Sequence, residues 1–161
     1  MTKKAKRPAL LQRKVGDIVA VEIEPGLFCY VRKYAFGHGV LPFFSKGGVL
    51  PRDDLPSIRP EVFLDIWVYD DDSTGMQLVG SFPFDSEEES WGEPAYEPPD
   101  LIESCFRIHG VFHGVASIIK PVNEEQTVGM RLLRRYQPAD FGDVLKERRA
   151  AWRTIDLSSG N

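Results

Sequence analysis

The chain has 161 residues, of which 42% are hydrophobic and 27% are charged, and its formal net charge is −4. This length suits a single domain with its own hydrophobic core. No apolar run approaches the roughly 20 residues that cross a bilayer, and the basic N-terminus lacks the apolar stretch of a secretory signal. Cys29 and Cys105 are far apart and in no metal or redox spacing, so two buried thiols are expected. We therefore expect a cytoplasmic protein with no membrane segment and no cofactor.

The charges are unevenly distributed along the sequence. Between Arg59 and Arg107 there are thirteen acidic residues and no lysine or arginine, so the rest of the chain has a net charge of +9. Charge of one sign on a folded surface attracts an oppositely charged partner and accelerates its association. If the fold brings these acids onto one face, a basic partner is predicted.

The N-terminal third predicts a β-hairpin. Residues 1–14 are expected to be a basic, partly disordered arm, for which a solubilising tail is favoured over a nucleic-acid contact. From Ile18 to Ile23 the side chains alternate between two faces of a strand, and Glu24-Pro25-Gly26 supplies a turn. The segment from Leu27 to Tyr34 returns as a second strand. Val40 to Phe44 is a third candidate strand, and its Pro42 favours an edge position.

The middle of the chain predicts two strands and an irregular acidic segment. In the segment 61–72, residues 62–69 are apolar or aromatic at every position except Asp65, which is typical of a central strand covered on both faces. Residues 76–84 are expected to pair with it. From Asp85 to Glu103, three prolines and a glycine exclude regular structure over most of the length.

The C-terminal third predicts strands and then a helix. Strand candidates are Cys105 to Ile108, Val115 to Ile119 and Gln126 to Leu133. Asp140 is a candidate helix cap, and the residues at helical spacing after it are Phe141, Val144, Leu145, Arg148 and Trp152. Residues 15–161 are thus expected to form one β-rich α+β domain. It would be a strongly bent antiparallel sheet or SH3-like partial barrel with a C-terminal helix.

The acidic segment carries two aromatic residues, Trp91 and Tyr96. Such residues are favoured anchors in protein interfaces, where charges around them set partner choice and association rate. The candidate contact residues are Asp70, Asp71, Asp72, Glu87, Glu88, Glu89, Trp91, Glu93 and Tyr96. The alternative is that Trp91 packs inward and that the glutamates only keep its loop hydrated.

Other chemistries have weaker support. His109 and His113 are spaced to lie on one face of a strand, but zinc requires a further protein ligand and none is nearby in sequence. No nucleophile elbow, calcium loop or phosphate-binding glycine loop is present. Nucleic acid is disfavoured because the aromatic residues accompany acids rather than bases. Two alternatives remain: an enzyme using His109, His113 and Asp65, or an SH3-like adaptor with a groove lined by Tyr30, Tyr34 and Trp67.

The segment from Val15 to Arg32, VGDIVAVEIEPGLFCYVR, resembles the opening of the immunity protein 26 family of bacterial polymorphic toxin systems. The matching positions are Gly16, Asp17, Ala20, Gly26, Tyr30 and Arg32. The family's proline near the end of the first strand is replaced here by Glu22-Ile23. The apolar strand ending at Asp70 and the segment from Gly75 to Phe84 are similar to the family's middle, so the resemblance covers roughly residues 15 to 135.

The resemblance implies a β-rich α+β protein that neutralises a cognate toxin delivered to competing bacteria. It implies neither catalysis nor a cofactor, and it does not identify the toxin. Together with the acidic middle of the chain, it predicts a protein partner rather than nucleic acid or membrane.

Overall fold

The computed structural model describes residues 13–35, 37–64, 76–99, 105–112, 115–132 and 140–158. The strands are β1 (Asp17–Glu24), β2 (Leu27–Lys33), β3 (His38–Lys46), β4 (Val62–Leu64), β5 (Met76–Ser81), β6 (Ala95–Glu97), β7 (Phe106–Phe112), β8 (Val115–Val122), β9 (Arg131–Leu132) and β10 (Arg153–Asp156). The helices are α1 (Glu87–Trp91), α2 (Phe141–Val144) and α3 (Arg148–Ala151). Short 3-10 turns lie at Arg52–Asp54 and Glu124–Thr127.

The strands in the described part of the chain form two sheets. The first has the order β10-β3-β2-β1-β5, and β4 also pairs with β3. The second has the order β8-β7-β6-β9. Pairing is antiparallel except for β10 with β3 and β9 with β6, which are parallel. The β-rich α+β class is therefore confirmed. No helix in the described ranges is long and apolar enough to cross a membrane.

The predicted hairpin is confirmed, and its alternation places side chains in two cores. Val19 and Val21 of β1 join a cluster on one face of the first sheet, which also contains Phe44, Phe141 and Leu145. Ile18 and Ala20 join the cluster on the opposite face with Tyr30, Leu41 and Phe43. Because neighbouring strand residues point to opposite faces, one strand serves both clusters. The central strands β1, β2 and β3 are thus buried on both faces.

Strand β3 occupies the interior of the sheet, so the edge position expected from Pro42 is wrong. On its outer side, β3 pairs with β4 through residues 38–40 and with β10 through residues 43–46. Pro42 lies between these two paired segments, beside the register shift in the pairing with β2. A proline that has no ladder hydrogen bond to donate is tolerated at such a gap.

Strand β5 pairs with β1. Of the segment predicted to pair with it, Val62–Leu64 is described and pairs with β3, whereas residues 65–75 lie outside the described residues. The acidic segment contains α1 and β6, whereas irregular structure was predicted over most of it. Its helix begins because the Ser86 hydroxyl accepts a hydrogen bond from the Glu89 amide at 3.1 Å.

The predicted C-terminal helix is interrupted. Its apolar residues Phe141, Leu145 and Trp152 are buried as expected, but α2 and α3 have four residues each and are followed by β10. Asp140 makes no side-chain cap hydrogen bond. Trp152 is extended at φ −91° and ψ 146°, and its indole donates to the Glu61 carboxylate at 3.0 Å. Similarly, the strand predicted at 126–133 is a 3-10 turn followed by the two-residue β9.

Candidate functional site

A cleft of about 560 Å³ opens beside the first sheet. Three separate parts of the chain line it: the end of β2, the segment around β4, and the segment from the end of β5 to just past α1. The lining residues are Arg32, Tyr34, Ile58, Arg59, Phe63, Pro83, Phe84, Asp85, Glu88, Glu89, Gly92 and Glu93. We call this feature the acidic cleft, because four of these residues are carboxylates.

Arg32 joins the segments that form the acidic cleft. Its Nη1 donates to the Ile58 carbonyl at 3.2 Å, and its Nη2 donates to the Phe82 carbonyl at 2.6 Å. The guanidinium also lies 3.8 Å from the centre of the Phe84 ring. Arg32 is only 6% exposed, and its buried Nε has no hydrogen-bond partner. Burial lowers the pKa of Arg32, and the nearby Tyr34 and Glu89 oppose this shift.

Aromatic rings form the apolar part of the acidic cleft. Tyr34 contacts Phe63 edge-on with ring centres 5.2 Å apart, and it contacts Phe84 at 4.8 Å. Burial raises the pKa of the Tyr34 hydroxyl, against the lowering effect of Arg32. These three rings come from β4 and from the ends of β2 and β5, so they meet only through the sheet. Aromatic faces attract cations, and two guanidinium groups of the protein lie over these rings. Arg32 lies over Tyr34 and Phe84, and Arg131 lies over Phe63 at 5.0 Å.

Helix α1 is held against these rings by its backbone. The Ala35 amide donates to the Ser90 carbonyl at 2.7 Å. Gly92, which ends the helix at φ +69°, lies so close that a Cβ there would be 3.0 Å from Phe63 and 3.2 Å from Tyr34. Glycine is therefore required at this position by both its conformation and the available space. The result is a fixed position for the glutamates of α1.

Among the residues that the structure describes, the side-chain carboxylates of the acidic cleft form no ion pair within 4 Å. The backbone carbonyl of Glu93 accepts a hydrogen bond from the Arg131 guanidinium at 3.3 Å. Other acids from the same part of the sequence are paired. Glu61 binds Arg148 at 3.3 Å and Glu97 binds Arg107 at 3.0 Å. The acidic cleft therefore concentrates negative charge that the described part of the protein does not neutralise by ion pairing.

The predicted contact residues occupy different positions. Glu88, Glu89 and Glu93 line the acidic cleft, whereas Glu87 is exposed on α1 outside its lining. Trp91 and Tyr96 are half-buried and lie outside the lining, and the Tyr96 ring packs on Phe106 at 6.3 Å. Asp70, Asp71 and Asp72 lie outside the described residues. Sequence reasoning missed Arg32, Phe63 and Phe84 as members of this site.

The residues of the alternative functions are also spread out. His109 lies in β7, while His113, Asp65 and Trp67 fall outside the described residues. Within the described ranges, no three potential metal ligands form a group. Tyr30 and Tyr34 are buried, at 0% and 6% exposure, which argues against the adaptor groove proposed for them.

No protein-family model, curated protein or solved structure matches this chain. The residues that carry the resemblance to immunity proteins have structural roles here. Gly16 has φ +95°, and a Cβ would lie 2.6 Å from the Phe82 carbonyl oxygen. The Asp17 carboxylate accepts from the Lys14 amide at 2.7 Å. Arg32 links the hairpin to the acidic cleft.

Proposed function

We propose that this protein is an immunity-type protein that binds a cognate bacterial toxin domain in the cytoplasm and neutralises it. The observation that carries the proposal is the set of four carboxylates around one aromatic cleft, none of which forms an ion pair with another described residue. The proposed activity is stoichiometric binding and needs neither catalysis nor a cofactor.

The chemistry of the acidic cleft favours a basic protein as the partner. Lysine and arginine side chains pair with carboxylates, and the acidic cleft presents four carboxylates together. Toxins that act on nucleic acids are basic where they hold phosphates. A surface that places carboxylates at such a site competes with the nucleic acid, and its field accelerates the encounter.

The resemblance to immunity proteins provides separate support. Its residues belong to β1, β2 and the segment containing β5, which are neighbours in the first sheet. Strands β1, β2 and β3 follow one another as an antiparallel meander, and we propose that this meander corresponds to the SH3-like partial barrel expected from the sequence. Arg32, the last matching residue of the hairpin, forms part of the acidic cleft.

The experiment is a charge reversal with a matched control. The variant Glu88→Lys/Glu89→Lys/Glu93→Lys changes the acidic cleft, and the control Glu124→Lys/Glu125→Lys reverses exposed glutamates of the second sheet's 3-10 turn. We expect the cleft variant to slow association with the toxin domain by about 10-fold or more at low salt. The difference should shrink as ionic strength rises.

Association rates from stopped-flow fluorescence test this proposal. The control variant should remain close to the wild-type rate. Equal slowing by both variants would indicate a general charge effect, and an unchanged rate for the cleft variant would contradict binding at the acidic cleft.

A further inference from the structure

Two positively charged residues belong to the lining of the acidic cleft. Arg59 is exposed, and its guanidinium forms no ion pair within the described residues. Arg32 is nine-tenths buried, and one of its nitrogens has no hydrogen-bond partner. A ligand with positive charge alone would match the carboxylates and be repelled by these two groups.

The positive and negative groups come from different parts of the chain. Arg59 follows Ile58, whose carbonyl accepts from Arg32. The carboxylates come from residues 85–93, on and beside α1. The lining of the acidic cleft therefore contains two positive side chains and four negative ones. A ligand that satisfies both must carry an anionic group close to a cationic one.

The size of the acidic cleft limits what can enter. Its volume of about 560 Å³ lies in the range of sites that hold small molecules. Such a volume accommodates one or two amino-acid residues and is too small for a packed helix. The end of an extended peptide chain has the required dimensions.

We infer that the acidic cleft binds the carboxyl terminus of a protein chain that ends on lysine or arginine. The inference rests on the proposed function and names the part of the basic partner that enters. The terminal carboxylate pairs with the Arg59 guanidinium, in the geometry that guanidinium groups favour, and Arg32 adds positive charge at the same place. The basic side chain lies among the carboxylates of Asp85, Glu88 and Glu89.

The test uses two synthetic peptides, Ala-Ala-Ala-Lys with a free carboxyl terminus and the same peptide with a terminal amide. Binding to the full-length protein is followed by NMR chemical-shift titration at low salt. We expect amidation to weaken binding at least 10-fold. Arg59→Gln should weaken binding of the free-acid peptide to the affinity of the amidated peptide, and binding of the amidated peptide should not change. Arg52→Gln, which alters an exposed arginine outside the lining, serves as the control.

Each outcome separates this inference from the proposed function. Equal binding of the two peptides, or no binding of either, overturns the inference. If binding is equal but is lost in Glu88→Lys/Glu89→Lys/Glu93→Lys, the acidic cleft recognises basic side chains without a chain end, and the proposed function stands. If that triple variant binds both peptides as well as the wild type does, the proposed function fails too.

Discussion

Replacing Arg32 by methionine tests whether this residue holds the acidic cleft together. Methionine preserves much of the apolar stem but removes the guanidinium. The Ile58 and Phe82 carbonyls would lose a charged donor, and the Phe84 ring would lose a cation 3.8 Å from its centre. Both carbonyls belong to segments that line or border the acidic cleft. Loss of the guanidinium should therefore destabilise both segments at once.

The magnitude follows from these contacts. A hydrogen bond from a charged donor contributes about 1.5–3 kcal/mol, and a cation over a ring contributes about 0.5–2 kcal/mol. Burial of the guanidinium opposes these gains, as the lowered pKa of Arg32 indicates. We therefore expect Arg32→Met to reduce the free energy of unfolding by about 2–4 kcal/mol.

The assay is urea unfolding, together with hydrogen exchange of the Ala35 amide, which is bonded to Ser90 of α1. Arg52→Met is a matched control, because Arg52 also stacks on a phenylalanine ring, Phe82 at 4.8 Å, and donates to a carbonyl, but it is exposed. The control should cost less than about 0.5 kcal/mol. Equal losses for the two variants, or unchanged protection of Ala35 in Arg32→Met, would refute the reasoning.

Three further predictions concern two core residues and the glycine that ends α1. Tyr30→Phe should cost about 1–3 kcal/mol in urea unfolding, because the buried Leu50 amide loses the hydroxyl that accepts from it at 2.7 Å; a loss below 0.5 kcal/mol would contradict this. Burial raises the pKa of Cys29 from 9.0 to about 12, so the folded state keeps a proton that the unfolded chain loses. Its contribution to the free energy of unfolding is fully present below pH 9 and falls by about 1.4 kcal/mol per pH unit above it. Cys29→Ala should remove that part of the dependence of the free energy of unfolding on pH. In the native wild type, a thiol reagent should modify half-buried Cys105 before buried Cys29. Gly92→Ala should reduce the free energy of unfolding in urea by about 1–3 kcal/mol. An unchanged midpoint of urea unfolding would contradict the close packing of Gly92 on Phe63 and Tyr34.

Sequence patterns predict those elements whose structure depends mainly on residues that are close together in the chain. The alternation from Ile18 to Ile23 predicted β1 and its two faces because a strand's side chains alternate regardless of its neighbours. Ser86 and Glu89 carried a helix-start signal that the prolines around them obscured. At the C-terminus, the apolar spacing correctly predicted burial of Phe141 and Leu145. It did not predict the break in the helix.

That break depends on contacts between distant parts of the chain. Trp152 packs against Phe44 at 5.4 Å and donates to Glu61, and β10 then pairs with β3. These contacts favour an extended chain at Trp152 over another helical turn. The strand Arg153–Asp156 contains only two β-branched residues, which is too short a signal to compete with a helical period.

The acidic cleft, too, was predictable from the sequence only in part. The excess of acids in residues 85–93 was visible in the sequence and led to Glu88, Glu89 and Glu93. The rings of Tyr34, Phe63 and Phe84 come from three elements separated along the chain, so no local spacing relates them. In the sequence, Arg32 was identified only as one of the hairpin residues that resemble the immunity protein 26 family. Its contacts with Ile58 and Phe82 depend on tertiary structure.

The central claim is that the acidic cleft binds a basic protein. It is tested most directly by affinity purification of the tagged protein from its native host, with the products of neighbouring genes expressed and with the Glu88→Lys/Glu89→Lys/Glu93→Lys variant in parallel. The account predicts that one basic toxin domain co-purifies with the wild type at equal stoichiometry and is lost from the variant. Recovery of that domain with both proteins, or of no stoichiometric partner with the wild type, would contradict the account.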